Sequence, residues 1–286
     1  MTRLTYQMIE NVPDSMELRD ERLRNDLGMS MKGLSFLSLG VQDSDLNLNG
    51  FKVAAVPVTS GKGVTPGFCN SVCAITRHLG MESHVTERTD VAGFYQAMEA
   101  GADIVFMADD QEFVALNMRE RRCADNTRST ALGYFSALKK AMGGVAGKDV
   151  LVIGAGRVGC CAIDLLADER ALITVIDSDQ AKIEAAKCRF PQIKVATDLG
   201  RAVAGADALL NASPARIKGE WIKEGAIISS PGMPYSFDCL GEEKARVLVH
   251  DPLQIGVSVM AAWSASYSIQ GKAKNIGWPQ AIEVTQ

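Results

Sequence analysis

The apolar run Ile104-Val-Phe-Met107 ends in Ala108-Asp109-Asp110, which places two carboxylates at the end of a strand. A carboxylate in a partly desolvated cleft can take a proton from an ammonium group, leaving an amine whose lone pair assists departure of a hydride from the adjacent carbon. A hydride acceptor has its own signature further on, in Lys148-Asp-Val-Leu-Val-Ile-Gly-Ala-Gly-Arg-Val-Gly-Cys160. Gly154 permits a tight exit from the strand, Gly156 lets a pyrophosphate approach the backbone, and Gly159 lets the following helix pack on the sheet. Arg157 and Val158 open that helix, whose N-terminus holds phosphates. A second apolar strand, Ala171-Leu-Ile-Thr-Val-Ile176, ends in Asp177, placed for a ribose 2′-hydroxyl and repulsive to a 2′-phosphate. The combination points to NAD rather than NADP. Each feature also has a plainer reading: an ordinary strand-turn-helix for the glycines, and a helix N-cap for Asp109 or Asp110.

These residues need elements to present them, and the sequence alternates strand with helix. Strands are expected at 53–58, 83–85, 104–107, 148–153, 171–176, 208–211, 226–229 and 247–249, with helices at 68–79, 91–100, 128–142, 181–188 and 199–203. Such alternation implies parallel sheets, whose carboxyl ends gather ligand-facing residues. Thr59-Ser60, Asp109-Asp110, Asn211-Ala-Ser213, Ser230-Pro231-Gly232 and His250-Asp251 all stand at such ends. The fold class is therefore α/β. An N-terminal helical arm (1–50) and a small α/β catalytic domain (to 145) precede a Rossmann NAD-binding domain (146–286). The uncharged stretch 252–271 is too polar to span a membrane and reads as a buried helix, about 256–270, able to pack back on the first domain. Basic residues 117–128 are expected either to close over the substrate or to form a solvated face, the former being favoured.

Composition excludes several functions. The chain of 286 residues has a net charge of -4 and 6% aromatic residues, which gives no footprint for nucleic acid. Seven cysteines without a secretory start imply reduced thiols in the cytoplasm. Cys69 and Cys73 share a helical face, but with three histidines in the whole chain they read as packing rather than as metal ligands. His78 and His84 fall within elements, and His250 is as much a structural as a catalytic candidate. The expected partner is a small molecule, with no metal, no membrane and no nucleic acid; a homodimer stays open.

Val56-Pro-Val-Thr-Ser-Gly-x-Gly63, Asp90-Val-x-Gly93-x-Tyr95, Met107-Ala-Asp-Asp110, the glycine turn, Ser230-Pro-Gly232 and Asp251-Pro-Leu-x-Ile-Gly256 together resemble the pyrrolysine synthase (PylD) family over about residues 50–270. The resemblance implies NAD-dependent oxidation of the terminal amine carbon of L-lysine-Nε-3R-methyl-D-ornithine, loss of ammonia and closure of a pyrroline ring. It selects Asp109 as the proton shuttle, makes Ser60 and Asn126 polar partners of the substrate, and puts Phe68 in the pocket wall. Asp251 departs from a Glu in that pattern, and Asp110 is left to cap a following helix. Two other readings compete. One is an amino-acid, imino-acid or shikimate-type dehydrogenase, for which Lys62 would be the catalytic candidate. The other is a non-catalytic NAD-binding protein, which would need no carboxylate pair opposite the ring.

Overall fold

The computed structural model describes residues 4–269. Three helices form the arm: α1 (Tyr6–Ile9), α2 (Met16–Leu27) and α3 (Met31–Leu39). Gly28 ends α2 in the left-handed conformation, and the Ser30 side chain accepts from Gly33 N to start α3. The arm buries Ile9, Leu23, Met31 and Leu34 against the rest of the molecule. A fully buried side chain of this size stabilises by about 1.5–3 kcal/mol, so the arm is docked structure.

The first sheet follows, from β1 (Lys52–Val56), α4 (Phe68–His78), β2 (Glu82–Val85), α5 (Asp90–Glu99), β3 (Ile104–Ala108), β4 (Phe113–Asn117) and β5 (Arg122–Asp125). Its strand order is β2-β1-β3-β4-β5, parallel through β1, β2 and β3 and antiparallel from β3 to β5. Residues 117–128 run from the end of β4 through β5 into α6 as an antiparallel edge with 119–123 exposed, in keeping with the solvated-face reading of that stretch. In β4, Phe113, Ala115 and Asn117 are buried while Val114 and Leu116 are half-buried, the alternation of a sheet strand. Asn117 shapes the next turn: its Oδ1 accepts from Arg119 N and Glu120 N at 3.0 and 2.8 Å, and its Nδ2 donates to Ser264 O at 2.7 Å. Asp110 caps no helix, because β4 and not a helix comes next.

Helix α6 (Asn126–Met142) leads to the second sheet. Asp125 caps it by accepting from Arg128 N at 2.9 Å. The second sheet is built from β6 (Asp149–Ile153), α7 (Arg157–Asp168), β7 (Leu172–Ile176), α8 (Gln180–Arg189), β8 (Lys194–Val195), α9 (Leu199–Gly205), β9 (Ala208–Asn211), β10 (Ile227–Ser229), α10 (Cys239–Lys244) and β11 (Val247–Val249). All six strands are parallel, in the order β11-β10-β9-β6-β7-β8. The order reverses between β6 and β9, the crevice where open sheets of this kind take ligands. Helix α11 (Gln254–Ser266) is buried along its whole length and packs on α6, α3, α4, β4 and β5, so it returns to the first sheet. Among the described residues no helix is long and apolar enough to cross a membrane.

Candidate active site

A cleft of about 570 Å³ opens between the carboxyl ends of the two sheets, a volume that suits a small-molecule ligand. Val56–Val58, Phe68, Asp109, Asp110 and Asn126 line one wall, and Gly156, Arg157, Val158, Ser213 and Pro231 line the other. Asp251, Leu253 and Gly256, at the entry to α11, close the inner end, and Leu4 of the arm reaches the rim.

On the first wall, Asp109 begins the β3–β4 turn. Its Oδ1 accepts from Gln111 N at 2.7 Å and Glu112 N at 2.8 Å, and its own N–H donates to the Glu112 carbonyl at 2.9 Å. Asp110 faces the loop after β1, where its Oδ2 accepts from Lys62 N at 2.8 Å. The other end of that loop is held by Asp90, whose carboxylate accepts from both Thr59 N and Thr59 Oγ1 at 2.7 Å. Those two bonds hold the Asp90 carboxyl below the usual carboxylate range. The clamped loop leaves Ser60 exposed and outside the cleft lining, while Lys62 lines it. Phe68 opens α4 and stacks edge-on against Phe113 at 5.1 Å, an apolar corner of the wall. Asn126, in the first turn of α6, has its Oδ1 on Thr130 Oγ1 at 3.2 Å. Cys69 and Cys73 behave as packing residues: burial pushes their thiols up to about 12 and about 11.

On the second wall, each glycine has a distinct reason. Gly154 holds φ +97°, and a Cβ there would meet Ala212 O at 2.9 Å. A Cβ on Gly159 would run into the Gly154 carbonyl oxygen. A Cβ on Gly156 would meet nothing within 4 Å, so the cradle is open on the cleft side where α7 begins. Open space against a helix N-terminus fits the pyrophosphate of a dinucleotide. Asp177 is close by: its Oδ2 accepts from Ala155 N at 2.7 Å and its Oδ1 from Asp179 N at 2.9 Å. The Arg157 side chain reaches Glu112 at the end of the β3–β4 turn.

Asn211 and Ser230, expected to touch the cofactor, are instead buried at 0% exposure beneath the lining. Asn211 Oδ1 accepts from Ser213 N and Oγ at 3.2 and 2.9 Å, and its Nδ2 donates to Ser230 Oγ at 3.3 Å. They support Ser213 and Pro231, which do reach the cleft. His250 belongs to the same support: its Nδ1–H donates to Ser230 O at 2.8 Å, and burial lowers its pKa. Sequence reasoning placed Asp251 at a strand end but missed its partner Tyr134, whose buried hydroxyl donates to Asp251 O and accepts from Asp251 N, both at 2.9 Å. It also missed Gln111 and Glu112, although the alternating 113–117 segment beyond a polar Asp-Asp-Gln-Glu run carried a hairpin signal.

Comparison with known proteins connects this geometry to a chemistry. The chain is 30% identical to the pyrrolysine synthase of Methanosarcina barkeri (strain Fusaro) over 264 residues, covering 91% of this chain and 97% of that one. It is 31% identical to the Methanosarcina acetivorans pyrrolysine synthase over 269 residues, covering 91% and 98%. The chain belongs to the pyrrolysine synthase family. The N-terminal domain model of pyrrolysine biosynthesis protein PylD matches residues 8–124, the arm and first sheet of this family member. Residues 150–223 match a model described as the saccharopine dehydrogenase NADP binding domain. The fold is shared with shikimate dehydrogenase from Aquifex aeolicus (TM-score 0.53, 13% identity, covering 80% of this chain and 96% of that one). It is shared equally with quinate dehydrogenase from Corynebacterium glutamicum in complex with NAD (TM-score 0.52, 11% identity, 78% and 94%). This member of the pyrrolysine synthase family is thus a dehydrogenase with a nicotinamide cofactor site.

Proposed function

We propose that the chain oxidises the terminal amine carbon of L-lysine-Nε-3R-methyl-D-ornithine and releases pyrrolysine, with Asp109 as the base and NAD as the cofactor. The observation that carries the reading is a single cleft with the Asp109 carboxylate on one wall and the open Gly156 cradle on the other. Bound at Gly156–Val158, the nicotinamide cofactor supplies the acceptor for one hydride. An ammonium nitrogen has no lone pair to stabilise the carbon losing that hydride, so Asp109 first removes a proton from it. The carbon then carries a protonated imine. The ornithine α-amine adds to that carbon, the nitrogen of the former terminal amine leaves as ammonia, and a C=N bond closes the five-membered ring. With both amines entering as ammonium ions, the balance is one hydride removed, one ammonium ion and two protons released. Phe68 and Phe113 give the methyl-bearing chain an apolar wall, and Asn126 offers its amide to the substrate's polar end. Ser60, exposed next to the Asp90-held Thr59 and outside the cleft lining, is assigned to the substrate's far end.

The NAD assignment rests on Asp177, whose carboxylate stands beside the glycine loop where a 2′-phosphate would add like charge. The NADP in the name of the matched domain model describes that model. A cytoplasmic setting is supported by seven cysteines, all unpaired. A homodimer is supported by Val91, Tyr95 and Met98, which lie along one side of α5 at 82%, 54% and 53% exposure; light scattering tests it. The function is tested by incubating the purified protein with the isopeptide and NAD. The expected result is equimolar NADH and ammonia with a product lighter by the corresponding mass. Turnover of free amino acids but not of the isopeptide would replace this reading with that of a general amino-acid dehydrogenase.

A further inference from the structure

The β3–β4 turn and the first turn of α7 belong to opposite walls of the cleft, and one side chain crosses between them. Arg157 Nη2 lies 2.9 and 3.1 Å from the two carboxylate oxygens of Glu112, and its Nη1 donates to the Gln111 carbonyl at 3.1 Å. A guanidinium held at several points fixes direction as well as distance. Gln111 and Glu112 are also the two residues whose N–H groups hold Asp109 Oδ1. The arginine of the cofactor loop therefore grips one of the two peptide units that hold the proposed base, the one carrying Glu112 N–H, and the Glu112 side chain with it.

The pair is poorly placed to contribute stability. Its side chains are 46% and 56% exposed, and ion pairs of that kind add little to folding. Geometry gives it another use. Proton removal is organised by the first wall and hydride departure by the second, so the reaction requires the two walls to keep one register. Misplacement by about 1 Å is enough to cost roughly a hundredfold in rate. Arg157 immediately follows Gly156, so a strut from its guanidinium to the Asp109 turn ties that register to the cofactor cradle itself.

We propose that Glu112 is a positioning residue for the dehydrogenase reaction. The Arg157–Glu112 pair acts as a cross-cleft strut that sets Asp109 against the nicotinamide position, and Arg157 serves the cofactor through its backbone at the start of α7. The proposal rests on the reading of Asp109 as the base.

The test compares Glu112→Gln, Arg157→Gln, the double variant and Asp109→Asn in steady-state assays with the isopeptide and NAD. Glu112→Gln should lower kcat about tenfold to a hundredfold. KM for both substrates should stay within about twofold, the mark of an interaction that matters beyond ground-state binding. Tm should move by no more than about 3 °C. Arg157→Gln should lose as much, and the double variant no more than either, because the two changes remove one interaction. Unchanged kcat in Glu112→Gln, or losses that multiply in the double variant, overturns the strut. A rise in KM at constant kcat overturns it too, by assigning the pair to binding. The two readings fail separately: an active Asp109→Asn sinks the base and the strut together, whereas an inactive Asp109→Asn beside a fully active Glu112→Gln sinks the strut alone.

Discussion

Asp109→Asn separates basicity from geometry at the proposed base. The Asp109 carboxylate makes two hydrogen bonds through Oδ1, to Gln111 N and Glu112 N, and an asparagine Oδ1 can accept both. The turn survives while the proton acceptor is lost. Weakening two charged acceptor bonds to neutral ones costs about 1–2 kcal/mol in total, too little to unfold the hairpin. Loss of general-base assistance costs about a hundred- to ten-thousand-fold, or roughly 2.7–5.5 kcal/mol on the barrier. Asp109→Ala removes the base and both turn bonds, so it should be no more active than Asp109→Asn and measurably less stable. Asp110→Asn serves as the internal control. Its amide oxygen can still accept from Lys62 N, so the loop clamp persists and kcat should fall less than about tenfold. The assay is single-turnover NADH formation at saturating isopeptide and NAD, with thermal melts of each variant. Full activity in Asp109→Asn, or equal losses in the two Asn variants, would refute the assignment and turn attention to Lys62, the next titratable group of that wall.

Three further outcomes are expected. NAD should be preferred over NADP by roughly a hundredfold, and Asp177→Asn, which keeps the acceptors for Ala155 N and Asp179 N but removes the charge, should narrow that ratio at least about tenfold; paired cofactor titrations check both. Gly156→Val should abolish cofactor binding in a folded protein, because its Cβ enters open cradle space, whereas Gly159→Ala should cost about 1–3 kcal/mol of stability by pressing on backbone; the two are told apart by melting curves and cofactor fluorescence. Burial lowers the His250 pKa, so below its ordinary value of about 6.5 the unfolded chain binds a proton that the native state refuses. This contribution to stability is complete above that value and is lost as pH falls beneath it. Tm measured from about pH 5 to 7.5 should show the decline, and His250→Gln should flatten it.

The glycine turn was legible because it acts locally: a positive φ, an open face or a close helix contact is a property of one residue and its neighbours. The β4–β5 hairpin was obscured for a physical reason. Arg122–Asp125 has no strand character of its own and holds its conformation by pairing with Phe113–Asn117, while the charged residues between them resemble a solvated loop. That omission propagated. Without β4, Asp110 became a helix cap, residues 117–128 were left between a closing segment and a solvated face, and the Glu112 partner of Arg157 was invisible. At the second wall, strand ends located Asn211 and Ser230 correctly in the chain, but mutual hydrogen bonding turned both beneath the surface that Ser213 and Pro231 present. Tyr134 and Asp251 are far apart in sequence, and no local pattern links them.

The choice between Asp109 and Asp110 shows what the structure adds to a resemblance. Both residues line the cleft, and both carboxylates accept backbone hydrogen bonds. The bonds differ in what they restrain. Asp110 is wedged against Gly61, where even a Cβ would collide with its carboxylate, so moving it toward a substrate means releasing the clamped loop. Asp109 is held through Oδ1 by peptides of its own turn, which leaves Oδ2 for the proposed proton transfer and would let the carboxylate keep its support during it. A base must present one oxygen repeatedly without rebuilding its surroundings, and of the two carboxylates Asp109 has the arrangement that permits this.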